Sequence, residues 1–142
     1  MAYDDADIDI FNRANAGKLP GHLGLEVTVA EPGRVAGRFA VRDDLMAHTG
    51  YLLAGSLLTV ADILCAYGVS TAWPAGATGF ITVEVKCNFM GTVRDGAVGC
   101  VATLLHGGRT TQVWDAALTD ETSGRLIAAF RCTQLILYPK PG

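Results

Sequence analysis

The stretch that decides the fold is the apolar run Leu57-Leu58-Thr59-Val60-Ala61-Asp62-Ile63-Leu64-Cys65-Ala66-Tyr67. Asp62 is its single charged residue, and no other Asp, Glu, Lys or Arg lies between Thr49 and Val83. A segment that is apolar nearly all round predicts a helix wrapped by other structure. Burying a carboxylate there costs several kcal/mol unless partners or a wet cavity support it. Asp62 is therefore either a local hydrogen-bonding residue or a working acid beside a cavity.

The composition indicates one ordinary domain. The chain has 142 residues, with 14 acidic and 11 basic side chains, and its net charge is -3. A domain of this size buries roughly 68% of its unfolded surface, enough for a core without metals or disulfides. The lack of a basic stripe argues against a nucleic-acid partner. Half of the residues are apolar and 18% are charged, which favours apolar surface closing against a second copy of the chain.

The cysteines and the histidines lack the spacing of known sites. Four cysteines lie singly in apolar runs without a CxxC motif, which predicts buried free thiols in a reducing cytosol; they are Cys65, Cys87, Cys100 and Cys132. Three scattered histidines predict no metal site.

Two features of the sequence argue against a signal peptide and a membrane span. The acidic start from Met1 to Asp5 predicts no signal peptide. The stretch from Ile63 to Val83 is interrupted by glycines and Pro74, so it is interpreted as the end of a helix, a turn and a strand. These observations predict a cytoplasmic protein without a membrane partner.

Hydrophobic periodicity predicts a short helix, a hairpin, a long helix and then four strands. The predicted helices are 8–14 and about 53–69, and the predicted strands are 25–29, 35–41, 80–90, 98–105, 110–118 and 126–137. Strands joined by tight turns form an antiparallel sheet, which with one long helix makes an α+β fold. Because that helix is apolar nearly all round, the sheet must curl about it or a second copy must cover its far side.

The strand 80–90 carries the clearest alternation. One predicted face consists of Ile81, Val83, Val85, Cys87 and Phe89, and the other of Thr82, Glu84, Lys86 and Asn88. The alternation alone leaves open which of the two faces meets the helix.

Three groups of residues together resemble a known family. They are Leu53-Ala54-Gly55 followed by Val60-Ala61-Asp62, then Thr82 to Met90, and then Gly108-Arg109-Thr110-Thr111-Gln112-Val113-Trp114-Asp115. In this order the chain resembles the hotdog acyl-CoA thioesterases of the phenylacetate-pathway and 4-hydroxybenzoyl-CoA type, over roughly residues 24–137. The resemblance implies a hotdog fold, a curved antiparallel sheet wrapped around a long central helix. It divides the chain into a segment with a short helix at 1–23 and a hotdog domain at 24–142.

The resemblance also implies roles for single residues. Asp62 falls on the catalytic carboxylate, and Thr82 on a residue that positions the water or that carboxylate. Ala54 falls on the glycine whose N–H polarises the thioester carbonyl, with its neighbours Leu53 and Gly55 at the substrate. Arg109 and Thr110 fall where members contact coenzyme A. Coenzyme A is then part of the substrate, and no separate cofactor is expected.

The sequence departs from the family pattern at the start of the central helix. Leu53 stands at the family's histidine, Ala54 at its first glycine, and Ala47 at its Asn or Gln. A backbone N–H survives the change from glycine to alanine, so oxyanion stabilisation is retained. The neighbouring His48 is a candidate to replace one of the lost polar side chains.

Helix geometry predicts a site shared by two copies. Ala54 and Asp62 are eight residues apart, roughly 12 Å along a helix, so one carbonyl cannot touch both within one chain. Two antiparallel helices would bring Asp62 of one copy to the helix start of the other, in a twofold dimer or a dimer of dimers. The resulting prediction is hydrolysis of a CoA thioester. The alternatives are a non-hydrolytic protein that binds an acyl-CoA or aromatic ligand, and a hotdog hydratase or dehydratase using Asp62 with His48.

Overall fold

The computed structural model describes residues 5–142. Its helices are α1 (Ile8–Asn15), α2 (Leu19–His22) and α3 (Ala54–Thr71), with a 3-10 turn at Asp43–Leu45. Its strands are β1 (Glu26–Glu31), β2 (Arg34–Ala40), β3 (Gly79–Phe89), β4 (Ala97–Gly107), β5 (Thr111–Asp120) and β6 (Leu126–Leu137).

Within the described residues the strands form one antiparallel sheet in the order β1-β2-β4-β5-β6-β3. The hairpins β4–β5 and β5–β6 join neighbours, whereas β3 is added at the far edge beside β6. The sheet curls about α3, which touches strands along its whole width. This arrangement confirms the predicted hotdog fold.

Helix α3 is the core helix. It is long and apolar enough to cross a membrane by length and composition alone, but more than half of it is buried inside the domain. Val60, Ala61, Leu64 and Cys65 have no exposed surface and pack on the inner side of the sheet. The face formed by Gly55, Thr59, Asp62 and Ala66 is left partly open, because residues four, seven and eleven positions apart share one side of a helix.

Glycine brings α3 close to the sheet at one point. A Cβ atom added to Gly68 would lie 2.5 Å from the ring of Trp114, which is fully buried on β5. The indole N–H of Trp114 donates to Gln112 Oε1 at 2.9 Å, and Gln112 Nε2 donates to the carbonyl of Ala72 at 2.8 Å. A buried amide therefore satisfies both the indole and a carbonyl at the C-terminal end of α3.

The N-terminal helices pack against the core. Asp7 caps α1 by accepting the N–H of Asp9 at 2.8 Å. The ring of Phe11 stacks on Tyr67 of α3 with the centroids 4.2 Å apart, and the Tyr67 hydroxyl donates to Asn15 Oδ1 at 2.5 Å. The short helix α2, absent from the sequence prediction, begins with Pro20 in its first turn. Met1 to Asp4 lie outside the described residues, and the division of the chain at residue 23 stays a prediction.

The predicted faces of β3 are wrong for half of the strand. Thr82 pairs with Gln134 on β6, but the next pair is Glu84 with Thr133, so Val83 is an extra residue in a β-bulge. A bulge shifts the alternation by one position. The inner face therefore consists of Phe80, Thr82, Val85, Cys87 and Phe89, as their partners on β6 are Ile136, Gln134, Cys132, Phe130 and Ala128. Thr82 thus points towards the helix, a direction that the alternation alone left open.

Candidate active site

Asp62 lies in the middle of α3, half-buried on its partly open face. Its Oδ1 atom is shielded from solvent and accepts no hydrogen bond from a described residue. No described cation forms an ion pair with it. Burial raises the pKa of the Asp62 carboxyl above its ordinary value, because the charged form loses water. A half-buried carboxylate with a raised pKa and no described partner at Oδ1 is a candidate base or nucleophile.

The surroundings of Asp62 inside the domain are thiols. Cys65 follows one helical turn later, and its thiol is in hydrogen-bonding contact with Cys132 on β6. That contact and burial raise the pKa of the Cys65 thiol, with a smaller contribution from the nearby Asp62 charge. Cys65, Cys100 and Cys132 are buried and Cys87 is half-buried, and none of the four forms a disulfide. The free thiols agree with the sequence prediction, and so does their burial except at Cys87.

Thr82 reaches the interior through a buried amide. Its hydroxyl donates to Gln134 Oε1 at 2.8 Å, and Gln134 Nε2 lies 3.5 Å from the sulfur of Cys132. Gln134 has no exposed surface and pairs on its other side with Gln112 of β5. The inner face therefore carries one polar row, Gln112–Gln134–Thr82, that ends at the edge strand.

The start of α3 offers backbone donors. Leu53 occupies the N-cap position without a side-chain cap, and its own N–H donates to the Leu45 carbonyl at 3.0 Å. The N–H groups of Ala54 and Gly55 donate to no described residue, and both residues are exposed. Helix N-termini favour negative charge, so these groups can hold an oxyanion.

His48 lies in the turn before α3. Its side chain is exposed and makes no hydrogen bond or ion pair with a described residue. The backbone of the same turn is closed by the Ala47 N–H donating to the Tyr51 carbonyl at 2.8 Å. The Arg94 guanidinium lies 4.0 Å from the centroid of the Tyr51 ring, so a cation borders this end of the helix.

Arg109 and Thr110 lie at the opposite end of α3, in the β4–β5 hairpin. The Arg109 guanidinium stacks 4.5 Å from the centroid of the Tyr138 ring, and the Tyr138 hydroxyl donates to the Arg109 carbonyl at 2.6 Å. Arg109 and Tyr138 border a cleft of about 440 Å³ that Ala72 and Pro74 also line. Arg109 forms no ion pair with a described acid, so its charge can meet an anion.

The predicted residues thus fall into three groups along α3. Leu53, Ala54 and Gly55 lie at its start with His48 nearby, Asp62 lies at its middle, and Arg109 and Thr110 lie at its end. Thr82 lies on the edge strand, at the end of the row Gln112–Gln134–Thr82. Sequence reasoning missed Gln134 and Tyr138. Gln134 could have been found, because it alternates with Cys132 and Ile136 on the inner side of β6, whereas Tyr138 follows the end of that strand.

Within residues 5–142 no group of three or more His, Cys, Asp or Glu side chains could hold a metal ion. The predicted site residues themselves offer one carboxylate, backbone N–H groups and an exposed guanidinium.

Comparison with known proteins identifies the family. The family profile of the thioesterase superfamily matches residues 49–127, more than half of the chain. The 1,4-dihydroxy-2-naphthoyl-CoA hydrolase of Listeria monocytogenes serotype 1/2a (strain 10403S) is 28% identical over 111 residues, covering 78% of this chain and 89% of that relative. The enzyme of the same name from Escherichia coli (strain K12) is 31% identical over 119 residues, covering 82% and 79%.

A solved structure shares the fold. Thioesterase HI1161 from Haemophilus influenzae superposes with a TM-score of 0.87 at 22% identity, covering 99% of this chain and 98% of that one. The family match includes Leu53 to Gly55, Asp62, Thr82, Arg109 and Thr110, whereas His48 lies just before the matched region. The chain belongs to the thioesterase superfamily, and its general activity is thioester hydrolysis.

Proposed function

We propose that the chain is a cytoplasmic acyl-CoA thioesterase that hydrolyses a CoA thioester to a carboxylic acid and coenzyme A. The observation that carries this proposal is the Asp62 carboxylate, which lies without a described hydrogen-bond partner at Oδ1 on the open face of α3. The names of two relatives, which are naphthoyl-CoA hydrolases, support a CoA thioester as the substrate. Coenzyme A is then part of the substrate, and the reaction needs water but no cofactor.

The proposed reaction needs few groups. Asp62 takes a proton from a water molecule whose oxygen attacks the carbonyl carbon, or its carboxylate attacks directly and water hydrolyses the resulting anhydride. The N–H groups of Ala54 and Gly55 stabilise the oxyanion. The carbon–sulfur bond then breaks and the sulfur leaves with the electron pair, which is easy because a thiol has a pKa near 8.5.

Each proposed site takes its parts from two copies of the chain. Ala54 and Asp62 are roughly 12 Å apart along α3, too far for one carbonyl. The edge strand β3 exposes apolar side chains, with Ile81 49%, Val83 54% and Val85 44% exposed. Within the described residues β3 pairs on one side alone, and an exposed apolar edge is a template for another strand. A twofold dimer through β3, or a dimer of two such dimers, would cover this edge and place two α3 helices antiparallel.

The remaining residues are assigned supporting roles. Thr82, held by Gln134, positions the water or the carboxylate from the edge strand. His48 and Leu53 border the carbonyl at the start of α3. Arg109, stacked on Tyr138, pairs with a phosphate of coenzyme A, and Thr110 lies beside it. Arginine suits this role because its guanidinium can form two parallel hydrogen bonds with a phosphate.

The test is the release of free thiol from a panel of acyl-CoAs. We expect turnover by the wild type and a loss of about 10²- to 10⁴-fold in kcat for Asp62→Ala. Asp95→Ala, which changes an exposed acid in the turn before β4, is the matched control and should keep its activity. Binding of acyl-CoA without turnover would favour the non-hydrolytic protein, an alternative supported by Leu53 and Ala47 at positions where the family is polar. Hydration of an enoyl-CoA would favour the hydratase.

Mixing two inactive variants tests the shared site. Asp62→Ala chains are combined with Ala54→Trp chains, whose bulky side chain blocks the start of α3. A mixed dimer keeps one intact site, because the second copy supplies Asp62 and the first supplies the unblocked helix. With random pairing, about a quarter of the wild-type activity should return. No recovery despite subunit exchange would show that one chain supplies both parts.

A further inference from the structure

A groove runs from the first turns of α3 to α2, beside the N–H groups of Ala54 and Gly55. Its volume is about 370 Å³, within the range of small-molecule sites. Half of its lining residues are leucine or methionine, namely Leu19, Leu23, Leu45, Met46 and Leu53. The groove thus offers an apolar surface next to the position proposed for the thioester carbonyl.

Two leucines in the groove are left open to water. Leu19 is 61% exposed and Leu53 is 52% exposed, although both border the same groove. Apolar surface gains free energy when it is removed from water. Two neighbouring exposed leucines that line one concave surface therefore favour an apolar occupant.

Gly55 leaves the floor of the groove open. Its backbone is helical and does not have a positive φ, so its conformation does not require glycine. A Cβ atom added there would meet nothing closer than Leu53 Cδ2 at 3.8 Å, so the packing of this chain does not require glycine either. Glycine is less favourable than alanine in a helix, and here the missing side chain keeps space above the N–H groups.

We propose that this groove is the acyl subsite and that it takes an apolar, uncharged acyl or aryl group. The inference rests on the proposed function, because it places the thioester carbonyl at Ala54 and Gly55. In an antiparallel pair, the cleft of Arg109 and Ala72 belongs to the copy that supplies Asp62. Ala72 is about ten residues beyond Asp62, or roughly 15 Å along the helix. Coenzyme A would approach from that side, and the acyl group would extend away from it into the groove.

The far end of the groove is polar and holds a closed ion pair. Asp44 and His22 line it, and Asp44 is ion-paired with Arg42 at 3.0 Å. The hydrogen bond from Arg42 lowers the pKa of the Asp44 carboxyl, so Asp44 stays ionised near neutral pH. The Arg42 guanidinium is already occupied by Asp44, so an acyl group that ends in a carboxylate would lose water without gaining an unpaired arginine and be disfavoured.

The test compares kcat/KM for acetyl-, butyryl-, hexanoyl-, octanoyl-, benzoyl- and succinyl-CoA. The wild type should gain up to about fourfold for each methylene that enters the groove, and it should prefer butyryl-CoA to succinyl-CoA. Gly55→Val fills the floor and should lower the octanoyl-to-acetyl ratio by about tenfold or more. Leu19→Ser, which is remote from the oxyanion donors, should lower the same ratio by a smaller factor. Leu105→Ser changes an exposed leucine on β4 and should leave the ratio unchanged.

Two controls distinguish a change in acyl preference from a loss of folding or of hydrolysis. Thermal melts identify the variants that fold. If Gly55→Val does not fold, Leu19→Ser, which changes an exposed residue, still tests the groove. Unchanged ratios in both folded variants would overturn the acyl subsite while hydrolysis by the wild type still supported the proposed function. If the wild type releases no thiol, the proposed function fails, and the groove is tested by calorimetric binding of octanoyl- and acetyl-CoA. Tighter binding of octanoyl-CoA than of acetyl-CoA by the wild type, lost in both variants, supports the groove. Equal binding of the two compounds by the wild type overturns it.

Discussion

The Asp62 carboxyl is harder to ionise in the folded chain than in the unfolded chain. Burial raises its pKa, and no described cation offsets the loss of water. The native state therefore binds the proton more tightly. Stability contributed by this group is highest below the unfolded pKa and falls as the pH rises through the raised folded pKa. At neutral pH the charge destabilises the fold.

Asp62→Asn should therefore raise the melting temperature at pH 7, because the amide removes the buried charge with little change in shape. The gain should shrink as the pH falls and disappear below the ordinary pKa of aspartate, where the wild-type carboxyl is also neutral. Thermal unfolding followed by circular dichroism between pH 3 and pH 8 measures the gain in melting temperature and its dependence on pH. Asp95→Asn, at an exposed position, is the control. An equal gain at every pH would exclude the buried charge as the cause.

Arg109→Ala should raise the KM for acyl-CoAs by about tenfold with a smaller effect on kcat, because the guanidinium is proposed to bind a phosphate remote from the reacting carbonyl. Steady-state kinetics with an acyl-CoA and with the matching acyl-N-acetylcysteamine thioester separate the effects, since the second substrate lacks phosphates. With the acyl-N-acetylcysteamine thioester, the variant should have the same KM and kcat as the wild type. Arg34→Ala, which changes an exposed arginine paired with Glu31, is the control. A similar loss on both substrates would contradict phosphate binding.

At the scale of single elements, the contact between α3 and β5 depends on Gly68. Gly68→Ala should destabilise the domain by about 1–3 kcal/mol, because the new methyl group would collide with the fully buried Trp114 ring. Helix propensity alone predicts the opposite sign. Gly55→Ala, in open space on the same helix, should be neutral or stabilise the domain by up to about 1 kcal/mol. Urea unfolding of both variants measures the difference, and equal effects would show that Trp114 moves aside.

The long elements could be predicted from sequence and the irregular ones could not. The central helix was expected at about 53–69 and spans Ala54–Thr71, because a sustained apolar pattern is a strong local signal. The bulge at Val83 has no such signal, since Val83 and Glu84 continue the alternation of the strand. The row Gln112–Gln134–Thr82 joins three strands that are distant in sequence. Only the register of the folded sheet brings these side chains together.

At the scale of the whole molecule, the exposed edge of β3 is the proposed contact between copies. Val83→Lys should weaken this contact by placing a charge where an apolar strand would pair. We expect a shift towards monomers in analytical ultracentrifugation, with unchanged far-ultraviolet circular dichroism. Hydrolysis should fall together with the dimer fraction, because each proposed site needs two copies.

Leu105→Lys is the matched control for this prediction, since Leu105 is 56% exposed on β4, well away from the β3 edge. It should keep the association state and the activity of the wild type. A Val83→Lys protein that stays dimeric would place the contact elsewhere, and a fully active monomer would contradict the shared site. Asp62 could be singled out from the apolar run alone, and most of the other candidate residues from the resemblance. The groove beside α2 could not, because it is formed by three segments that meet only in the folded chain.

The bulge at Val83 has a consequence for how this strand is aligned with those of other proteins. It divides β3 into two halves whose inward positions have opposite parity, even-numbered at Phe80 and Thr82 and odd-numbered from Val85 onward. A relative with a regular strand would need a one-residue gap here, and a gap placed at either end of β3 would turn one half outward. Deleting Val83 would likewise join the halves into a straight ladder, with Thr82 still opposite Gln134 and Glu84 opposite Thr133.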